Sequence, residues 1–136
     1  MWYGLPVIAC LALVFALIII FAPFQAENAV VFKTIGSGST DSGAVLIELT
    51  PEEMHDGVLN VRIAANTHSV DLTKFDLKRM AALEFSGKTL KPTEAPVLQG
   101  HHVSGTLRFD TGENIKIFTI KIRGIPNVEE RVFEWN

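Results

Sequence analysis

Gly100 to Gly124 reads GHHVSGTLRFDTGENIKIFTIKIRG. Val103, Gly105, Leu107 and Phe109 alternate with Ser104, Thr106 and Arg108. A period of two puts the first set on one face of a pleated strand and the second on the other. Asp110-Thr111-Gly112-Glu113 has turn composition and predicts a hairpin. Ile115 to Arg123 (IKIFTIKIR) is strongly β-forming. Its alternation changes phase near Phe118, which predicts a bulge or two buried faces.

The same rhythm extends in both directions. Ala44 to Thr50 (AVLIELT) puts Val45, Ile47 and Leu49 on one face. Val58 to Ala65 alternates, with Leu59, Val61 and Ile63 inward and Asn60 and Arg62 outward. Met80 to Phe85 repeats the pattern through Ala81, Leu83 and Phe85, and Ser86-Gly87 turns it into Lys88 to Lys91. Arg131 to Trp135 closes the series, with Phe133 and Trp135 sharing a face and belonging to the core. Ala29 to Thr34 predicts a first strand, and Ile35 to Gly43 a Gly/Ser turn or linker. Thr50-Pro51-Glu52-Glu53 carries an N-cap signal and predicts one helical turn, ended by Asp56-Gly57. Asn66 to Lys78 reads as a polar connection and Pro92 to Gly100 as a loop. Seven or eight short strands with turn signals every 8–12 residues predict an all-β, immunoglobulin-like β-sandwich, with a barrel as the alternative.

Charge is distributed unevenly along the 136 residues. Met1 to Ala26 carries no charged side chain, so all 12 Lys and Arg and all 15 Asp and Glu lie beyond it. This explains a mean hydropathy of +0.27 in a chain with an ordinary charged domain. Leu5 to Phe24 is twenty apolar residues, about 30 Å as a helix, which matches the hydrocarbon core of a bilayer. The sequence therefore divides into a transmembrane anchor or uncleaved signal at 1–26, a strand and linker at 27–43, and an extracytoplasmic domain at 44–136. A cleaved signal peptide is the rival. It is disfavoured by the length of the apolar run, by the lack of a basic residue before it and by poor small-x-small cleavage points. Cys10, the single cysteine, falls inside that run. The outer domain then has no thiolate, which removes disulfide exchange, cysteine nucleophiles and Cys-bound zinc. A pI near 5.8 without a basic run argues against nucleic acid as a partner.

Without cysteine, histidine is the natural ligand for an extracytoplasmic transition metal. His68, His101 and His102 lie in connections, and Asp71 follows the first. One site built from His68, one member of the pair and a carboxylate is chemically sensible, with copper the first metal to consider. If the strand register runs back from Val103, His101 points inward and His102 outward. Only a loop conformation at Gly100 brings both to one place. His55 follows two glutamates on an exposed turn and reads as solvated. No catalytic arrangement stands out: Ser69, Ser86 and Ser104 lack a nucleophile-elbow context, and Gly36-Ser37-Gly38-Ser39 has no following Lys and helix.

Three blocks carry a resemblance: NTHSVDL at Asn66 to Leu72, GHHVSGTLRF at Gly100 to Phe109, and GIPNVEERVFEW at Gly124 to Trp135. Together they resemble an uncharacterised prokaryotic family of membrane-anchored or exported small β-sandwich proteins. The resemblance implies an extracytoplasmic sandwich and places His68, His101 and His102 inside its blocks, without implying a ligand. The expectation is a non-enzymatic binding or accessory module tethered to the bilayer. The alternative is a structural accessory subunit whose helix packs among other subunits of a membrane complex.

Overall fold

The computed structural model describes residues 30–136. The anchor expected at 1–26 lies outside them. Among the described residues no helix is long and apolar enough to cross a membrane.

Eight antiparallel strands form two four-stranded sheets, the arrangement of a β-sandwich. They are β1 (Ile35–Ser37), β2 (Leu46–Pro51), β3 (Val58–Asn66), β4 (Ala81–Phe85), β5 (Lys88–Leu90), β6 (His102–Asp110), β7 (Phe118–Arg123) and β8 (Glu130–Trp135). One sheet has the order β1-β2-β3-β6, the other β5-β4-β7-β8. Hairpins join β1 to β2, β2 to β3, β4 to β5 and β7 to β8, while the chain changes sheets after β3, β5 and β6. A 3₁₀ turn (Leu72–Lys74) and a single helical turn, α1 (Leu77–Met80), occupy the β3–β4 crossing.

The alternation read from the sequence becomes the inner faces of the two sheets. Ile47, Leu49, Leu59, Val61, Leu107 and Phe109 from one sheet meet Leu83, Ile120, Ile122 and Phe133 from the other, all fully buried. Asn60, Arg62, Ser104 and Thr106 stay on the outer face. Each buried aliphatic or aromatic side chain contributes about 1.5–3 kcal/mol relative to exposure.

Four local expectations fail, each for a tertiary reason. The first strand is Ile35–Ser37, inside the stretch assigned to a linker, because Ile35 to Ser37 pair with Leu49 to Ile47. Residues 30–34 make no ladder. They dock by side chain and backbone instead: Phe32 meets Phe118 edge-on at 5.3 Å, and Lys33 O accepts from Trp135 Nε1 at 2.9 Å. Thr50-Pro51 begins no helix. Both residues end β2, opposite Arg62 and Val61, and the Thr50 hydroxyl bonds that of Thr34 at 2.7 Å. Asp110 to Glu113 is a crossing between sheets, not a hairpin, and Thr111 ties it to the β2–β3 turn through Gly57 O. The phase change near Phe118 marks the end of this crossing. Ile115 is buried and Ile117 is 69% exposed before β7 starts the regular pattern at Phe118.

The β5–β6 crossing runs back along the outer edge of β6. Thr93 N donates to Arg108 O and Arg108 N to Glu94 O, so part of that edge is paired. Gly105 makes the close approach: a Cβ there would sit 2.4 Å from Pro96 Cβ. Gly105→Ala is expected to lift this loop and to destabilise by about 1–3 kcal/mol, read from urea unfolding.

Arg131 has no counterpart in the sequence pattern. It stands in β8 on the core side and is fully buried. Its Nη1 donates to Ile125 O (2.8 Å) and Val128 O (3.2 Å), its Nη2 to Val45 O (2.9 Å) and Pro126 O (3.1 Å). Burial pulls its pKa below the ordinary guanidine value. The planar fork reaches carbonyls in two places, which a single ammonium does not reproduce. Arg131→Met is expected to cost about 3 kcal/mol through orphaned carbonyls, and Arg131→Lys nearly as much, by thermal or urea unfolding.

Candidate functional site

The sandwich has two dissimilar ends. One end holds Phe32 against Phe118 and the Lys33 carbonyl against Trp135. The other, about 17 Å away along β7, gathers the β1–β2 loop, the β3–β4 crossing, the start of β6 and the β7–β8 turn. His68, Asp71, His101 and His102 all belong to this loop end.

Thr67 roots the site. The β3 strand stops at Asn66, and the buried Thr67 hydroxyl donates to Ala44 O at 2.7 Å while accepting from Val70 N at 3.1 Å and Ser69 N at 3.3 Å. Its own N–H donates to His101 O at 2.9 Å. Ser69 Oγ accepts from Gly43 N at 2.7 Å. One threonine thus joins the three segments that carry or flank the histidines.

His102 begins β6 directly opposite Asn66. Facing residues of an antiparallel pair have their Cβ atoms about 4.5–5.5 Å apart, and here the side chains meet, Nδ1 to Oδ1 at 2.9 Å. With the Asn66 carbonyl oxygen as acceptor, Nδ1 is the donor of this bond. His68 lies edge-on to this ring, with 6.4 Å between centroids and 73° between planes. Metal–nitrogen bonds near 2.0–2.1 Å put two imidazoles on one ion about 5–6 Å apart, so the observed ring spacing lies just above that range.

The other two residues are not part of this pairing. Asp71 caps the 3₁₀ turn, accepting from Thr73 N at 3.1 Å and Thr73 Oγ1 at 2.5 Å. Those two bonds hold its carboxyl below the usual carboxylate range, helped by Lys74 at 3.9 Å and by the nearby His101 ring. His101 does not point inward as the extended register predicts. Gly100 adopts φ +72°, a left-handed conformation open to glycine, and His101 is exposed outside the strand. Of the sequence-derived set, the structure therefore brings together only His68 and His102; Asp71 is engaged by Thr73 and Lys74, and His101 stands exposed beside the strand. Among the described residues no three His, Cys, Asp or Glu side chains converge as a metal cluster. His55 is exposed and bridges Val58 in the β2–β3 turn.

Comparison with known protein families, with curated proteins and with solved structures found no match.

Asn66 is the residue that sequence reasoning missed. It opens the NTHSVDL stretch, but only the β3–β6 register places it against His102. The rooting role of Thr67 is directly testable. Thr67→Val keeps the shape but leaves Ala44 O without its partner, and is expected to cost about 1–3 kcal/mol in urea unfolding. The same variant should broaden the His68 ring signals by NMR while leaving those of His55 unchanged.

Proposed function

We propose that this protein is a non-enzymatic binding module whose immunoglobulin-like sandwich is tethered to the outer side of a membrane and whose loop end takes a metal ion, copper first. The strand order supports the finer fold reading. The strands β2, β3 and β6 correspond to A, B and E of an immunoglobulin-like sandwich, and β5, β4, β7 and β8 to C′, C, F and G, with β1 added at the edge. In such folds the loops at one end carry recognition while the sheets hold them rigid.

The observation that carries the metal reading is the His68–His102 pair, 6.4 Å between rings, with Asn66 Oδ1 held 2.9 Å from His102 Nδ1. A second hydrogen bond to a ligating histidine is the usual device for orienting it. The tether reading rests on the apolar run from Leu5 to Phe24. Residues 30–34 lie at the opposite end from the histidines, so a tether there leaves the loop end facing away from its own bilayer. The alternative remains a structural subunit of a membrane complex, with other subunits as partners.

Titration of the full chain in detergent with Cu(II), Cu(I) under reducing conditions, and Zn(II) tests the metal reading. One ion per chain at micromolar affinity or tighter is expected for copper. His68→Ala and His102→Ala should each weaken it at least tenfold, and Asn66→Ala about tenfold or more. His101→Ala should change it little. Absence of micromolar binding, or equal loss on replacing His101 and His68, would overturn it. Membrane fractionation of the full chain tests the tether, which predicts extraction by detergent and not by high salt or carbonate.

A further inference from the structure

The loop end carries a second feature, apart from the His68–His102 pair. Lys74, Arg79, Lys91 and Arg123 line an open trough of about 480 Å³, with Asp76, Met80 and Gly124 completing its walls. The four cations come from four elements: the 3₁₀ turn, α1, the residue after β5 and the end of β7. A chain of net charge −3 thus concentrates positive charge at one place.

Several backbone acceptors around the trough are already engaged. Lys91 Nζ donates to Arg79 O at 2.7 Å and to Ala81 O at 3.2 Å, covering the carbonyl end of α1. Arg131 draws the carbonyls of Ile125, Pro126 and Val128 inward, so the β7–β8 turn beside Arg123 presents few acceptors to the trough. Asp76 is held as the cap of α1, accepting from Lys78 N at 3.0 Å, and Arg123 pairs with Glu130. Lys74 makes only a loose pair with Asp71 at 3.9 Å, and the Arg79 guanidinium has no ion-pair or hydrogen-bond partner among the described residues. A cationic surface with an unengaged Arg79 guanidinium and a loosely paired Lys74 suits a negatively charged occupant.

We infer that this trough is a docking surface for an acidic, extended segment of a partner protein. Its cations are exposed and spread over four elements, whereas a site for one small anion would converge donors in an enclosed pocket. The choice of a peptide over anionic lipid headgroups rests on the proposed tether, which turns this end away from the bilayer. The charge argument does not depend on it.

Fluorescence anisotropy of the full chain in neutral detergent with a labelled deca-glutamate peptide, at low and high salt, is the test. Saturable binding that weakens as salt rises is expected. The double variant Lys74→Glu/Arg79→Glu should weaken it at least tenfold, and Lys74→Gln/Arg79→Gln should weaken it by a smaller factor. Lys33→Glu and Lys116→Glu, exposed and outside the trough, should match the unaltered chain. His68→Ala and His102→Ala should also leave it unchanged, so a failure of the metal reading is distinguishable from a failure here. No saturable binding, or equal loss in the trough and control variants, would overturn the proposal. Charge-dependent flotation with phosphatidylserine vesicles, without peptide binding, would overturn the peptide as occupant.

Discussion

A charged guanidinium inside a β-sandwich, facing only carbonyl oxygens, is the constraint on which the loop end depends. Removing Arg131 from water carries a penalty of several kcal/mol. Four hydrogen bonds from a charged donor, each worth about 1.5–3 kcal/mol, are of the size needed to offset it. Three of them wrap the β7–β8 turn around the side chain, and the fourth crosses to Val45 at the start of the other sheet. One residue thereby closes the sandwich at this end and holds a turn in place. Among the described residues its Nε has no hydrogen-bond partner, so the arrangement is defined by the two terminal nitrogens.

The two ends of the sandwich are stabilised in different ways. At one, aromatic packing dominates: Phe118 stacks on Trp135 at 5.1 Å and Phe32 meets Phe118 edge-on. At the other, buried polar groups do the joining, Thr67 on one side and Arg131 on the other. Apolar contact is non-directional and tolerates small shifts. Hydrogen bonds fix position and orientation, and a surface that must present particular side chains is better built on them. The histidine pair and the cationic trough both lie at the polar end.

Much of the sandwich was legible because a strand buried on one face writes its period into the sequence. Six of the eight strands follow directly from alternating residues, from Val45-Ile47-Leu49 to Phe133-Trp135. Pairing was less legible. Asp110-Thr111-Gly112-Glu113 has the composition of a hairpin turn yet crosses between sheets, since turn composition records a change of direction and not the identity of the next partner. Ile35-Gly36-Ser37 looks like a linker because its ladder is supplied by β2 rather than by its own propensity. The histidines were legible as residues but not as a grouping. That His68 meets His102 while Asp71 and His101 stand apart from them follows from the β3–β6 register, the conformation of Gly100 and the Thr73 hydroxyl.

The sequence alone determined an all-β domain, which faces carry its core, and an uncharged apolar leader before it. Those properties depend on local periodicity and composition, which a linear chain records. The tertiary structure decided which strands are neighbours, which histidines meet, and that Arg131 belongs to the interior. Each of these depends on residues far apart in the chain, as Arg131 and Val45 are, and nothing in the order of one segment specifies its distant partner.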